Sequence, residues 1–313
     1  MFRVQKISSF DLSELQPYAT MRRPLEHEGQ GIFVAEGTKV VRRLLESRFA
    51  VISVVLPEKW LDDFRPLLEA RPEPVTVYLA EKKLLESLIG FSMYQGVLAV
   101  GKIPAPASLD DILQKTSKPQ LLVAVDALTN AENLGALVRN CVAFNVQALI
   151  VGETSSSPFL RRAVRNSMGT IFQLPVIELA KLGQRHQFTT KPHTTNLTLV
   201  ECLKELRGRG VRCIAAHPHI ESWSSSFSLP STASTSPPDK LKLELQHKSI
   251  SRTDFSGDCC IVFGSEGDGI SPAVLEACDE AVAIPMPPAV DSLNVGAAAA
   301  VFLYEASRQR GRS

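Results

Sequence analysis

Three short stretches carry side chains whose types and spacing could do chemistry. In NAENLGALVRN, Asn133, Gly135 and Arg139 follow directly on an apolar run. Asn133 can cap a helix, and Gly135 lets another group approach its backbone. Arg139 lies six residues past Asn133, less than two helical turns along, so both can serve the same end of the element. The second stretch is CCIVFGSEGDGIS, in which Gly264, Gly267 and Gly269 make a loop whose amides can face a ligand. Its order, G-x-x-G-x-G, is not the dinucleotide fingerprint, and it lacks both the Lys-Ser/Thr of a P-loop and the G-x-S-x-G of a nucleophile elbow. Glu266 among the glycines would repel phosphate, which points to a cationic or hydroxyl-bearing ligand. In the third, IPMPPAVDSLN, Pro285, Pro287 and Pro288 fix an extended loop, after which Ser292 and Asn294 cap the last helix or donate into a pocket. Each stretch alone also has a plain reading: a capped helix with a surface arginine, a strand-to-helix turn, an ordinary cap.

The elements that must position these residues alternate between strand and helix, which means an α/β layer fold. GIFVAEG, AVISVVLP, PVTVYLA and QGVLAVGK read as strands, and KVVRRLLES places Val40, Val41, Leu44 and Leu45 at helical spacing. IPAPASLDDILQKTSKP reads as a linker with one short helix, because its prolines interrupt both periodicities. A second α/β unit begins at QLLVAVDAL, a strand buried on both faces. It continues through a helix at 135–144, the strand VQALIVG and a helix in SPFLRRAVRNSMG with Phe159, Ala163 and Val164 inward. IFQLPVIE, a helix around LVECLKELRGRG, the strands VRCIAAH and DCCIVFG, and a C-terminal helix follow. That last helix is apolar nearly all round over Ala297–Tyr304 and is expected to be buried. SWSSSFSLPSTASTSPPDK is rich in Ser, Thr and Pro, so a disordered insertion is expected over about 218–256. The predicted domains are 1–104, a linker at 105–119, and 120–313.

The bulk numbers fit this plan. At 313 residues and 44% hydrophobic the chain can bury a core in two domains, and a net charge of +1 argues against a wholesale polyanion coat. No run approaches the roughly 18 apolar residues that span a bilayer, and MFRVQKISSFDLSELQ lacks the apolar region of a signal peptide. Six cysteines without CxxC spacing read as buried free thiols in a reducing compartment, so a soluble cytoplasmic protein is expected. The HPH at 217–219 lacks a third ligand, and no metal site is expected. Basic clusters lie at Arg22-Arg23, Arg42-Arg43, Arg161-Arg162 with Arg165, Arg207 with Arg209 and Arg212, and in the tail at Arg308, Arg310 and Arg312.

Taken together in this order, the three stretches closely resemble the SpoU (TrmH-like) branch of the SPOUT RNA methyltransferases. That branch carries an N…G…R motif after a strand, then G-x-E-G-x-G, then I-P-M…S-L-N-V before a helix. The resemblance covers Leu121–Ile177 and Asp258–Ala306, and the first hundred residues resemble the L30e-like substrate-binding domain often fused ahead of it. It implies a C-terminal α/β domain with a parallel sheet and a deep trefoil knot, a rare exception to the no-knot rule. It implies transfer of a methyl group from S-adenosylmethionine to a ribose 2′-hydroxyl, more in ribosomal than in transfer RNA. The alternative is a non-catalytic RNA-binding protein on the same scaffold. A nucleotide-dependent oxidoreductase is disfavoured by the glycine order.

By motif position the resemblance assigns the cofactor to Gly264, Gly267, Ile284, Met286 and Leu293. It makes Asn133, Arg139, Glu266, Ser292 and Asn294 the catalytic or site-ordering residues. A guanidinium ordinarily holds its proton to above about pH 12, so Arg139 is read as positioning phosphate and stabilising the forming alkoxide rather than as the proton acceptor. Arg161, Arg162 and Arg165 are expected on RNA phosphates, and a homodimer is expected. Members often carry serine where this chain has Gly296; with Ser292 and Asn294 both present, activity is expected to survive that departure.

Overall fold

The computed structural model describes residues 2–89, 96–105, 107–179, 194–195, 197–217, 246–287 and 289–311. The first sheet contains β1 (Phe2–Ile7), β2 (Ile32–Glu36), β3 (Val51–Leu56), β4 (Val75–Ala80) and β5 (Leu98–Lys102), in the order β1-β4-β3-β5-β2. β1, β4 and β3 run parallel, and β5 is antiparallel to both β3 and β2. The four strands expected here are present, and the helix Thr38–Glu46 buries Val40, Val41, Leu44 and Leu45 as its spacing predicts. β1 is a strand that the pattern did not reveal: it lies at the sheet edge with Arg3, Val4, Gln5 and Lys6 exposed, so it carries no buried face to read.

The second sheet contains β6 (Leu121–Val125), β7 (Ala148–Val151), β8 (Val176–Leu179), β9 (Thr194–Thr195), β10 (Arg212–Ala216), β11 (Gln246–Ser249), β12 (Cys259–Phe263) and β13 (Glu280–Ala283). Every pairing is parallel, in the order β11-β13-β10-β12-β6-β7-β8-β9. Helices cover both faces, so β6 and β12 are buried throughout, which explains their unbroken apolar runs. The chain first walks outward from β6 to β9, then builds the other half beyond β12. Strand order therefore reverses at the β6–β12 seam, and in open parallel sheets ligands bind beyond the carboxyl ends of the strands at such a reversal. All six cysteines are free and buried, and burial pushes the Cys202 and Cys278 thiols up to about 12.

Two expectations are corrected. The insertion is expected to be unstructured to residue 256, yet residues 246–256 belong to the fold: β11 pairs with β13, and Ile250 and Phe255 are buried. Residues 218–245, with most of the HPH motif, lie outside the described residues, as do Pro288 and Arg312. The C-terminal helix Val295–Gln309 is buried along Ala299, Phe302, Leu303 and Ala306, but not all round. Val301 is 40% and Tyr304 56% exposed, so an apolar flank faces outward.

The sheets meet through packed aromatic rings. Phe33 stacks on Phe172 with centroids 5.5 Å apart, and Phe49 meets Phe172 edge-on at 5.3 Å. Around them, the buried Glu36 pairs with Arg161 and, at 2.9 Å, with Arg165, while Arg43 donates to the Met168 carbonyl at 2.7 Å.

Candidate active site

The site is built at the seam where strand order reverses. After β6 the chain enters the helix Ala131–Ala143, and its cap is Asn130: Oδ1 accepts from the amides of Glu132 at 2.9 Å and Asn133 at 3.1 Å. This corrects the reading of Asn133 as the cap. Asn133 instead stands in the first turn, its side-chain oxygen and amide both turned to other loops. Gly135, one residue beyond Leu134, allows the close approach that its type suggests: a Cβ there would lie 2.5 Å from the Ala163 carbonyl oxygen. The helix Arg161–Asn166 thus packs directly on its backbone.

After β12 comes the glycine loop. Ser265 and Gly269 exchange backbone hydrogen bonds of 3.0 and 3.2 Å, and the Asp268 amide donates to Ser265 Oγ at 3.1 Å. Gly264 is fixed sterically, since a Cβ would sit 2.1 Å from the Gly269 carbonyl carbon. Asp126, at the end of β6, brackets the loop from below. Its amide donates to the Phe263 carbonyl at 2.8 Å, and its carboxylate accepts from the Ser271 amide at 2.7 Å. Sequence reasoning missed Asp126; the signal was an acid closing the apolar run QLLVAVDAL, and it is buried.

The third stretch completes the arrangement. Asn294 caps the last helix, its Oδ1 accepting from the Gly296 amide at 2.9 Å, while its Nδ2 donates to Asn133 Oδ1 at 3.1 Å. Asn133 Nδ2 donates in turn to Glu266 Oε1. The three stretches are therefore linked by one chain of hydrogen bonds, Asn294 to Asn133 to Glu266. Gly296 is held as well, its carbonyl accepting from Asn140 Nδ2 at 2.6 Å.

Beside this chain lies a cleft of about 480 Å³. Gly264, Gly267, Ile284, Met286 and Leu293, the residues expected to hold a cofactor, all line it, together with Glu266 and Ser292. Apolar surface comes from Ile270 and Phe302. Glu266, Asp268 and Asp291 line it too, and among the described residues no lysine or arginine does. Such a cleft favours a ligand carrying positive charge and disfavours a polyphosphate.

Arg139 is not brought into this constellation. It is exposed on the 131–143 helix, does not line the cleft, and makes no hydrogen bond or ion pair with a described residue. The arginines expected on RNA phosphates divide. Arg161, whose side chain is 17% exposed, and Arg165 are held by Glu36, so they clamp one sheet to the other; the one buried carboxylate offsets one of their two charges. Arg162 alone of the three is exposed without a partner among the described residues.

Comparison with known proteins agrees with this geometry. Residues 120–304 match the model of the SpoU rRNA Methylase family. A 23S rRNA (guanosine-2′-O-)-methyltransferase, RlmB, of Acinetobacter baylyi is 30% identical over 88% of this chain and 96% of its own length. An uncharacterized tRNA/rRNA methyltransferase of Mycobacterium tuberculosis is 29% identical over 92% of this chain and 84% of the relative. Among solved structures, the SpoU methyltransferase AviRb from Streptomyces viridochromogenes, in complex with AdoMet, has the same fold. Its TM-score is 0.71 at 22% identity, covering 96% of this chain and all of that one. An AdoMet-bound rRNA methyltransferase from Sinorhizobium meliloti gives a TM-score of 0.72 at 17% identity, covering 97% and 98%. With its three motifs tied together at the carboxyl ends of a parallel sheet and a family match running over 120–304 of its 313 residues, the chain belongs to the SpoU rRNA methylase family.

Proposed function

We propose that this protein is an S-adenosylmethionine-dependent RNA methyltransferase that methylates a ribose 2′-hydroxyl, in ribosomal rather than transfer RNA. The observation that carries the reading is the Asn294–Asn133–Glu266 chain of hydrogen bonds at the rim of a cleft lined by the carboxylates of Glu266, Asp268 and Asp291. That cleft fits the cofactor: Gly264 lets the glycine loop close tightly on itself at the cleft, Ile270, Ile284 and Phe302 offer apolar surface to a nucleoside, and the carboxylates favour a cation. S-adenosylmethionine supplies a methyl group already activated on a sulfonium. Gly264, Ile284 and Leu293 would hold it through backbone groups, with Met286 and Gly267 beside them. In this reading the C-terminal segment is threaded into the family's trefoil knot around that cleft.

The chain's own residues then have distinct tasks. Asn133, fixed between Glu266 and Asn294, orders the two loops around the reacting ribose. Ser292, exposed on the cleft wall, orients that ribose by hydrogen bonding. Arg139 positions a phosphate and stabilises the oxyanion as the hydroxyl gives its proton to water. Alignment of the attacking oxygen can contribute up to about 10 kcal/mol. The choice of ribosomal RNA is supported by the activity named for RlmB. An enzyme of that substrate works where ribosomes are assembled, in the cytoplasm; among the described residues no helix is long and apolar enough to cross a membrane. Residues 1–104 are assigned to RNA binding and 120–313 to methyl transfer.

The test is incubation with methyl-labelled S-adenosylmethionine and, separately, ribosomal and transfer RNA from cells lacking the gene, with Arg139→Ala alongside. Label in ribosomal RNA that resists alkaline cleavage at the modified ribose, and is lost in the variant, is expected. Cofactor binding without label in either RNA would favour a non-catalytic RNA-binding protein; no cofactor binding would overturn the assignment.

A further inference from the structure

A second cleft, of about 720 Å³, opens between the two sheets. Arg22 and Glu28 wall it from the first sheet's side, and Asn130, Glu132 and Arg162 from the second. Its floor is apolar and includes the buried Val34 and Phe159. The first turn of the helix Ala131–Ala143 links the two clefts. Asn130 and Glu132 face this one, while Asn133, on the same helical turn, reaches Glu266 in the acidic cleft.

We propose that this cleft takes the RNA strand bearing the target ribose, with Arg22 and Arg162 on its phosphates from opposite walls. The proposal rests on the RNA methyltransferase reading above. Both arginines are exposed; Arg22 also has a partner within the chain, and Arg162 makes no ion pair or hydrogen bond with a described residue. The neighbouring Arg161 is turned to Glu36, which it shares with Arg165, and so is engaged elsewhere. His27, which also lines the cleft, is hydrogen-bonded to Thr20 at 3.1 Å, and burial lowers its pKa, so it contributes no charge at neutral pH.

The remaining lining selects the ligand class. Carboxylates of Glu28 and Glu132 at the same rim oppose a free polyphosphate but can accept from the amino and imino groups of base edges. An apolar floor suits base faces, and arginines at the rim suit a backbone. A nucleic acid strand alternates those features. The cleft is also preformed, since the Phe33, Phe49 and Phe172 rings and the Glu36 ion pairs fix one sheet on the other. A strand seated here passes the turn that carries Asn133 and so meets the acidic cleft.

The test compares the wild-type protein with Arg22→Ala/Arg162→Ala, using ribosomal RNA from cells lacking the gene. The KM for RNA should rise roughly ten- to hundredfold, and the slope of log affinity against log salt should fall by about 1.4, about 0.7 for each single-strand phosphate released. Affinity for S-adenosylmethionine and kcat at saturating RNA should stay unchanged, which also reports that the variant is folded. The Arg22→Lys/Arg162→Lys protein should recover most of the affinity, while Arg48→Ala, an exposed arginine outside the cleft, should change neither quantity. A KM and slope within twofold of wild type would overturn the proposal and leave the methyltransferase reading standing. A wild-type protein that neither binds nor methylates the RNA would overturn that reading and this site with it.

Discussion

Asn294 has two tasks at once, and substitution can separate them. Its Oδ1 caps the last helix through the Gly296 amide, and its Nδ2 donates to Asn133. In Asn294→Asp the cap survives, because an aspartate oxygen accepts equally well, but the donor becomes an oxygen facing Asn133 Oδ1. Turnover is expected to fall about 100-fold, the loss typical of one positioned group at a reacting centre, with the thermal midpoint nearly unchanged. Asn294→Ala loses both and should also cost about 1 kcal/mol of stability, as caps usually do. Equal stability losses in the two variants would show that the bond to Asn133 is only structural. Gly264→Ala makes the complementary point about the cofactor. The new methyl group must displace the Gly269 carbonyl, 2.1 Å away, so S-adenosylmethionine affinity should drop at least tenfold by calorimetry while the RNA affinity holds. These residues were legible because their types are chemically specific. The cap was misread because Asn130 and Asn133 are equally good capping types, and only the backbone decides which one the helix uses. Asp126 is hard to read for the opposite reason: an acid closing an apolar run marks a position, but nothing local names the Ser271 amide as its partner.

Strands that are buried on both faces, such as β6 and β12, could be read from their apolar runs, and helices such as Thr38–Glu46 from their spacing. Elements that lack those signals could not. β11 is QHKS, and its pairing depends on Glu280 of β13, a buried carboxylate held by Arg212 at 3.0 Å and Lys248 at 2.9 Å from the flanking strands. No local rule places three charges on adjacent strands. The same holds for the basic tail. Arg310 donates to the carbonyls of Pro119 and Gln120, both at 3.0 Å, and of Phe255 at 2.8 Å, so it pins the last helix beneath β6. Glu305 anchors the preceding turn. Hydrogen bonds from Arg308, then from Gln309, hold its pKa down from the ordinary 4.5 to about 2. A depressed carboxylate stabilises the folded state above about pH 4.5, and that contribution is lost as pH falls toward 2. Glu305→Gln should therefore unfold at lower urea than wild type at pH 7, with the gap closing between pH 4.5 and 2. A gap independent of pH would mean that Glu305 acts through packing alone.

The whole molecule leaves one surface unexplained by a single chain. Val301 and Tyr304 stand exposed on the outer flank of the C-terminal helix, and Val290 and Leu293, 39% and 38% exposed, lie in the loop that precedes it. Scattered exposed apolar residues are ordinary, but a run on one helix beside the acidic cleft is the kind of patch that marks an association site. A second copy covering it would form the homodimer expected from the family resemblance, since a two-fold interface pairs one patch with itself. It would also place the second chain near the helix Ala131–Ala143, which packs on the C-terminal helix through Phe144 and Tyr304, rings 6.3 Å apart. That helix carries Arg139, exposed and without a partner among the described residues. In such a dimer, an Arg139 that lies outside the cleft of its own chain would be completed by the other. Val301→Glu/Tyr304→Glu should therefore halve the sedimenting mass at micromolar concentration, because the paired patches would then face each other as like charges. Turnover should fall with it, while urea unfolding, governed by the buried flank of Ala299, Phe302 and Leu303, should shift little. A wild-type protein already monomeric, with full activity, would instead require Arg139 to act within its own chain.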